Sequence, residues 1–238
     1  MKQTAKISAV GDCAVLVELG SEISPEINAR VISLVQLIKE QPIEGAADTI
    51  PTFCSLLVNY DPRVISYEKI CRRLSDLARL DTRTDEKSAK VFQIPVCYSG
   101  DYAPDIEYIA ERAGLSVQEV IKIHSGRDYL IYMLGFMPGF PYLGGLDERI
   151  HTPRLEVPRV QIRAGSVGIG GTQTGIYPLD SPGGWQLLGM TPLKTYDPTR
   201  EKPILFEAGD YIRFVPIEKS EFEEIKARVD DGSYEYSF

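Results

Sequence analysis

Apolar and polar positions change period several times along the chain, and each change marks an element. Residues 5–10 and 13–19 alternate or run apolar on either side of Gly11-Asp12, which predicts two short strands joined by a turn. Ser24-Pro25 then opens a helix, with Ser24 as N-cap and Pro25 at the first helical position. Ile27, Val31, Leu34 and Ile38 recur along one face of it, and Pro42 stops it. Residues 43–50 and 53–60 read as a second strand pair, and Asp61-Pro62 turns the chain. A second helix from Tyr67 to Leu80 carries the stripe Ile70, Leu74, Leu77 and Ala78. The order β-β-α-β-β-α predicts an α+β N-terminal domain with ferredoxin-like character.

The polar run at 81–90 is the expected linker, so the domains are expected at 1–85 and 86–238. The second begins with the strand VFQIPVCY. Two short helices follow, one after Ala103-Pro104-Asp105 and one capped by Ser116, with Glu119 completing a capping box. From Tyr129 to Pro216 short β segments alternate with Gly/Pro turns, the pattern of a closed or nearly closed β structure. A charged helix at about 218–230 precedes an aromatic tail.

Composition narrows the function classes. The 238 residues carry a net charge of −8, which argues against nucleic acid or an anionic membrane as partner. Cys13, Cys54, Cys71 and Cys97 form no C-x-x-C pair and sit in apolar contexts, so they read as buried free thiols in a reducing compartment. The N-terminus has no signal-peptide core and no stretch reaches membrane-spanning length, so the expected location is the cytoplasm. The glycine run at 165–171 fits neither a P-loop, a dinucleotide fingerprint nor a nucleophile elbow. Neither an ATP site complete in itself nor a metal site is legible, so any ATP chemistry is expected to need another subunit.

Between Tyr132 and Thr191, Gly, Pro and aromatic residues are too dense for a helix and suit a shaped surface. This stretch sets Tyr132, Phe136, Phe140 and Tyr142 near Arg154, Arg159, Gln173 and Thr174 in sequence. Aromatic walls with a few cationic and polar groups are what a pocket for a small carboxylate needs. Each group has a plainer alternative. The aromatics could fill a barrel, the arginines could be solvated charges, and the glycines could form turns instead of an anion nest. His124, at a helix C-terminus, is either a favourable partner of the helix dipole or a proton-transfer group.

The segments GFMPGFPYLGGLD, PRLEVPR, AGSVGIGGTQTGIYP and SPGGWQLLGMTP, in this order, resemble the Kip-inhibitor / allophanate-hydrolase-subunit-1 family. The likeness extends to IPVCYSGDYAPDIEYIAERAGLSVQEVIKIHS and GDYIRFVPI, and more loosely to the N-terminal GDCAVLVELG. It implies a cyclophilin-like β-barrel for the second domain. It also implies the role of the B subunit in an ATP-dependent 5-oxoprolinase, which opens 5-oxo-L-proline to L-glutamate. The 5-oxoprolinase subunits C and A would be its partners, and it would be inactive alone. In that reading His124, Gln173 and Thr174 are catalytic, Tyr132, Phe136, Phe140, Tyr142, Arg154 and Arg159 bind substrate in one cavity, and no metal is used. The other branch of the family implies a non-catalytic inhibitor of a sporulation histidine kinase, whose aromatic groove would take a partner peptide. A prolyl isomerase remains a third alternative, on fold analogy alone.

Overall fold

The computed structural model describes residues 5–80 and 89–236. The chain divides into two compact units, residues 1–88 and 89–238. The expected boundary at 85/86, and the expected linker except for residues 89 and 90, lie outside the described residues.

The first unit runs β1 (Lys6–Val10), β2 (Ala14–Glu18), α1 (Pro25–Glu40), β3 (Ala46–Pro51), β4 (Ser55–Tyr60) and α2 (Tyr67–Arg79). Ser24 caps α1 by accepting the Ile27 N–H, and Ser66 does the same for α2 with Lys69. The four strands form one antiparallel sheet in the order β1-β2-β4-β3. Val31, Leu34, Ile70, Leu74 and Leu77 from the helices pack with Val15, Val17, Leu56 and Val58 from the sheet into a single core. The element order is the expected β-β-α-β-β-α.

The second unit contains β5 (Val91–Cys97), α3 (Ile106–Ala113), α4 (Val117–Ser125), β6 (Asp128–Leu134) and β7 (Pro141–Gly144). It continues through β8 (Arg159–Ile162), β9 (Ser166–Gly170), β10 (Gln173–Ile176), β11 (Ser181–Gly183), β12 (Gln186–Met190), β13 (Tyr211–Ile217) and α5 (Lys219–Asp230). Seven strands close into a barrel in the order β10-β7-β6-β13-β5-β12-β9, and β8 pairs with β11 as a separate two-stranded flap. Closure removes the exposed edges that an open sheet would present. The seam that no local signal announces is β5 against β13, parallel over seven residue pairs from Val91↔Tyr211 to Cys97↔Ile217. The capping box at Ser116 and Glu119 forms as the sequence predicts.

The thiols correct one expectation. All four are free, but only Cys97 is buried; Cys13 is exposed, and Cys54 and Cys71 are half-buried. Cys13 sits in the turn between β1 and β2, at the surface, so the apolar run that follows it does not bury it.

Candidate functional site

Successive strand side chains point to opposite faces, and this rule decides where the expected site residues go. On β9, Val167 and Ile169 enter the barrel core, as Ile176 does on β10. The intervening Gly168, Gly170 and Gly175 put no side chain on the other face of the wall at their positions. Trp185 occupies that space. A Cβ on Gly170 would collide with its indole, and one on Gly175 would stand 3.1 Å from Trp185 Cζ3 and 3.3 Å from Phe140 Cζ. Phe140, Ile162, Tyr177, Trp185 and Leu187 form a separate cluster there, with Met137 and Tyr142 packed against it. Phe140 is its hub, with ring centroids 5.2 Å from Tyr142, 5.5 Å from Tyr177 and 5.5 Å from Trp185.

The expected residues therefore divide between two faces of one wall. His124 and Thr174 are fully buried on the inner side. Thr174 Oγ1 donates to the Gly168 carbonyl at 3.0 Å, so it accepts from His124 Nε2 at 2.9 Å. That leaves Nδ1 to accept from the Tyr98 hydroxyl at 2.8 Å. Tyr129 donates to the His124 carbonyl at 2.8 Å, and Phe214 stacks on the imidazole with centroids 4.5 Å apart. Every polar atom of the imidazole is thus satisfied in its neutral form. Burial pushes its pKa down to about 3 and holds the Tyr98 phenol well above its ordinary value.

Phe140, Tyr142, Arg154 and Arg159 belong to the outer side. Arg159 Nη2 pairs with Asp105 Oδ1 at 2.6 Å, and Nη1 donates to the Trp185 carbonyl at 3.1 Å. Asp105 Oδ2 in turn accepts the Leu187 N–H at 2.6 Å. Arg159 therefore ties the flap to β12. Arg154 is exposed and stands over Trp185, its Cζ 5.9 Å from the ring centroid. Tyr132 is buried with its ring over Gly144, and Gln173 is half-buried at the start of β10. Phe136 is 66% exposed. It has φ 62°, and the N–H of Met137 donates across it to the Gly135 carbonyl at 2.7 Å. That is a γ-turn of the rare positive-φ kind, which holds the ring outward, edge-on to Phe140.

The single cavity expected from sequence is thus not formed by these residues, because odd and even positions of β9 and β10 face opposite ways. Nor do Gly168 and Gly170 offer a nest for an anion, since both are strand residues: Gly168 pairs with Gly175 and Leu187, and Gly170 pairs with Gln173. Sequence reasoning missed Tyr98 and Asp105. The first is a strand-end residue 26 positions from its histidine, with no local signal. The second reads as a helix opener, and an aspartate at that place is ordinary until its arginine appears 54 residues later.

A two-unit chain with a closed barrel and a flap is the architecture to compare with known proteins. The chain belongs to the carboxyltransferase domain family, subdomain C and D, which it matches over residues 5–206. It is 42% identical to the 5-oxoprolinase B subunit of Bacillus subtilis over 231 residues, covering 93% of this chain and 96% of that protein. It is 41% identical to the 5-oxoprolinase B subunit of Escherichia coli O157:H7, covering 90% of this chain and 97% of that protein. Among solved structures it resembles TTHA0988, with a TM-score of 0.76 and 38% identity over 86% of this chain. The chain spans 40% of the length of TTHA0988.

Proposed function

We infer that this chain is the B subunit of an ATP-dependent 5-oxoprolinase, which hydrolyses 5-oxo-L-proline to L-glutamate. The observation that carries this reading is the 42% identity to the Bacillus subtilis B subunit across 96% of that protein, spanning both units of the fold. The bacterial relatives bear the 5-oxoprolinase name and not an inhibitor's, so the kinase-inhibitor alternative is not adopted.

The chemistry is coherent with a divided enzyme. A five-membered lactam is a stable amide whose opening at neutral pH needs coupling to ATP, and the charge developing on its oxygen needs positioned donors. The β9 glycines are committed to strand pairing, so we assign the ATP phosphates to a partner subunit. Subunits C and A are the partners in this reading, and the cytoplasm is its compartment. Support for a larger assembly comes from TTHA0988, a single chain of which this one matches only 40%. The second unit is read as a cyclophilin-like barrel and the first as a circularly permuted ferredoxin-like fold.

Within the chain, the outer aromatic wall with Arg154 is the substrate-facing part, and Phe136 and Tyr142 border it. Arg159 positions the wall through Asp105. His124 and Thr174 hold β10 from inside the barrel and so set the place of Gln173. The test is co-purification of this chain with subunits C and A, followed by glutamate formation from 5-oxo-L-proline and ATP. Failure of the assembled, folded complex to form glutamate would remove the assignment.

A further inference from the structure

Two arginines lie five residues apart on the same rigid, proline-flanked segment, yet their surroundings differ. Arg159 has its carboxylate, Asp105, and a carbonyl, from Trp185. Arg154 makes no ion pair among the described residues, and it stands against the face of Trp185. The backbone that carries Arg154 is pinned on both sides. Thr152 bridges to Gly171, the Pro153 carbonyl accepts from Gln186 Nε2 at 3.3 Å, and the Leu155 N–H donates to the Gly184 carbonyl at 2.7 Å. Trp185 is fixed in turn by the glycine bed of β9 and β10. A cation held over an indole on fixed backbone, with no counter-ion among the described residues, loses little freedom on accepting one.

We propose that Arg154 is the anion contact of the outer wall and takes the carboxylate of a small cyclic amide acid, with Trp185 as the floor beneath the guanidinium. This rests on the function inferred above and divides the labour of the two arginines: Arg154 binds the substrate anion, whereas Arg159 keeps Trp185 in place. The neighbouring Tyr177 already feels the field of both arginines, which oppose the upward pull of burial on its phenol.

The chain contains one tryptophan, so its emission reports this site alone. Titration of the full chain with 5-oxo-L-proline should give a saturable change in Trp185 emission. The neutral ring 2-pyrrolidinone, which lacks the carboxylate, should give none. Arg154→Gln should weaken the apparent affinity about tenfold or more, the loss of one charge-assisted contact. Its unfolding midpoint should stay near the wild-type value, since the side chain is exposed and forms no ion pair among the described residues. In the reconstituted complex the same variant should raise KM by a similar factor with kcat little changed, the mark of a uniform binding contact. No saturable change in the wild type, or an unaltered titration and KM in Arg154→Gln, would overturn the proposal. A wild-type complex that is active while Arg154→Gln keeps its KM would sink this inference and leave the functional assignment standing. An inactive wild-type complex would sink the assignment itself.

Discussion

His124 is neutral because the barrel interior offers no solvent and its two ring nitrogens already have partners. Folding lowers its pKa from 6.5 to about 3. Between those values the unfolded chain takes up a proton that the folded chain excludes. Its stabilising effect is therefore complete above pH 6.5 and is lost as the pH falls towards 3, by at most about 1.4 kcal/mol per pH unit. Wild type should thus lose stability between pH 6.5 and 4.5 more steeply than His124→Gln, as measured by denaturant unfolding; parallel profiles would show that His124 titrates normally. Thr174→Val would strip Nε2 of its acceptor and should cost about 1–3 kcal/mol at neutral pH. Phe136 offers a second residue-level test. Its positive φ strains any side chain, so Phe136→Gly should be more stable than Phe136→Ala by about 1 kcal/mol. Ala ranking above Gly would mean that the γ-turn is not strained.

The elements explain what could be read in the sequence. Ser24, Ser66 and Ser116 act as helix caps through contacts within three residues, and the stripes of α1 and α2 describe faces fixed by 3.6-residue periodicity. These signals are local, so the helices and the N-terminal hairpins were legible from the chain. A closed β structure was legible from the alternation of short strands and turns, but the seam that closes it was not, because β5 meets β13 across more than a hundred residues without a local cue. The site was legible as a set of residue types but not as a place. Its division into two faces depends on the register of β9 and β10, and a slip of one residue would exchange those faces. Gly168 and Gly170, two of the glycines read as a possible nest, are with Gly175 the bed of Trp185. Gly170→Ala should therefore displace the indole, cost about 1–3 kcal/mol and shift Trp185 emission. An unchanged emission spectrum and unchanged stability would contradict that packing.

The whole chain is two compact units with separate cores. A polypeptide of residues 89–238 should consequently fold alone, with the near-UV signal of its packed aromatics and a cooperative transition. What it should not do is replace the full chain in an assembled enzyme, since the relatives match across both units. The central claim is that the chain works as one part of a divided 5-oxoprolinase. The most direct measurement is 5-oxo-L-proline-dependent ATP hydrolysis by purified subunits, with each omitted in turn. Turnover is expected when this chain is combined with subunits C and A, and none from this chain alone or from the mixture lacking it. Full turnover in the mixture without this chain, or by this chain without its partners, would contradict the claim.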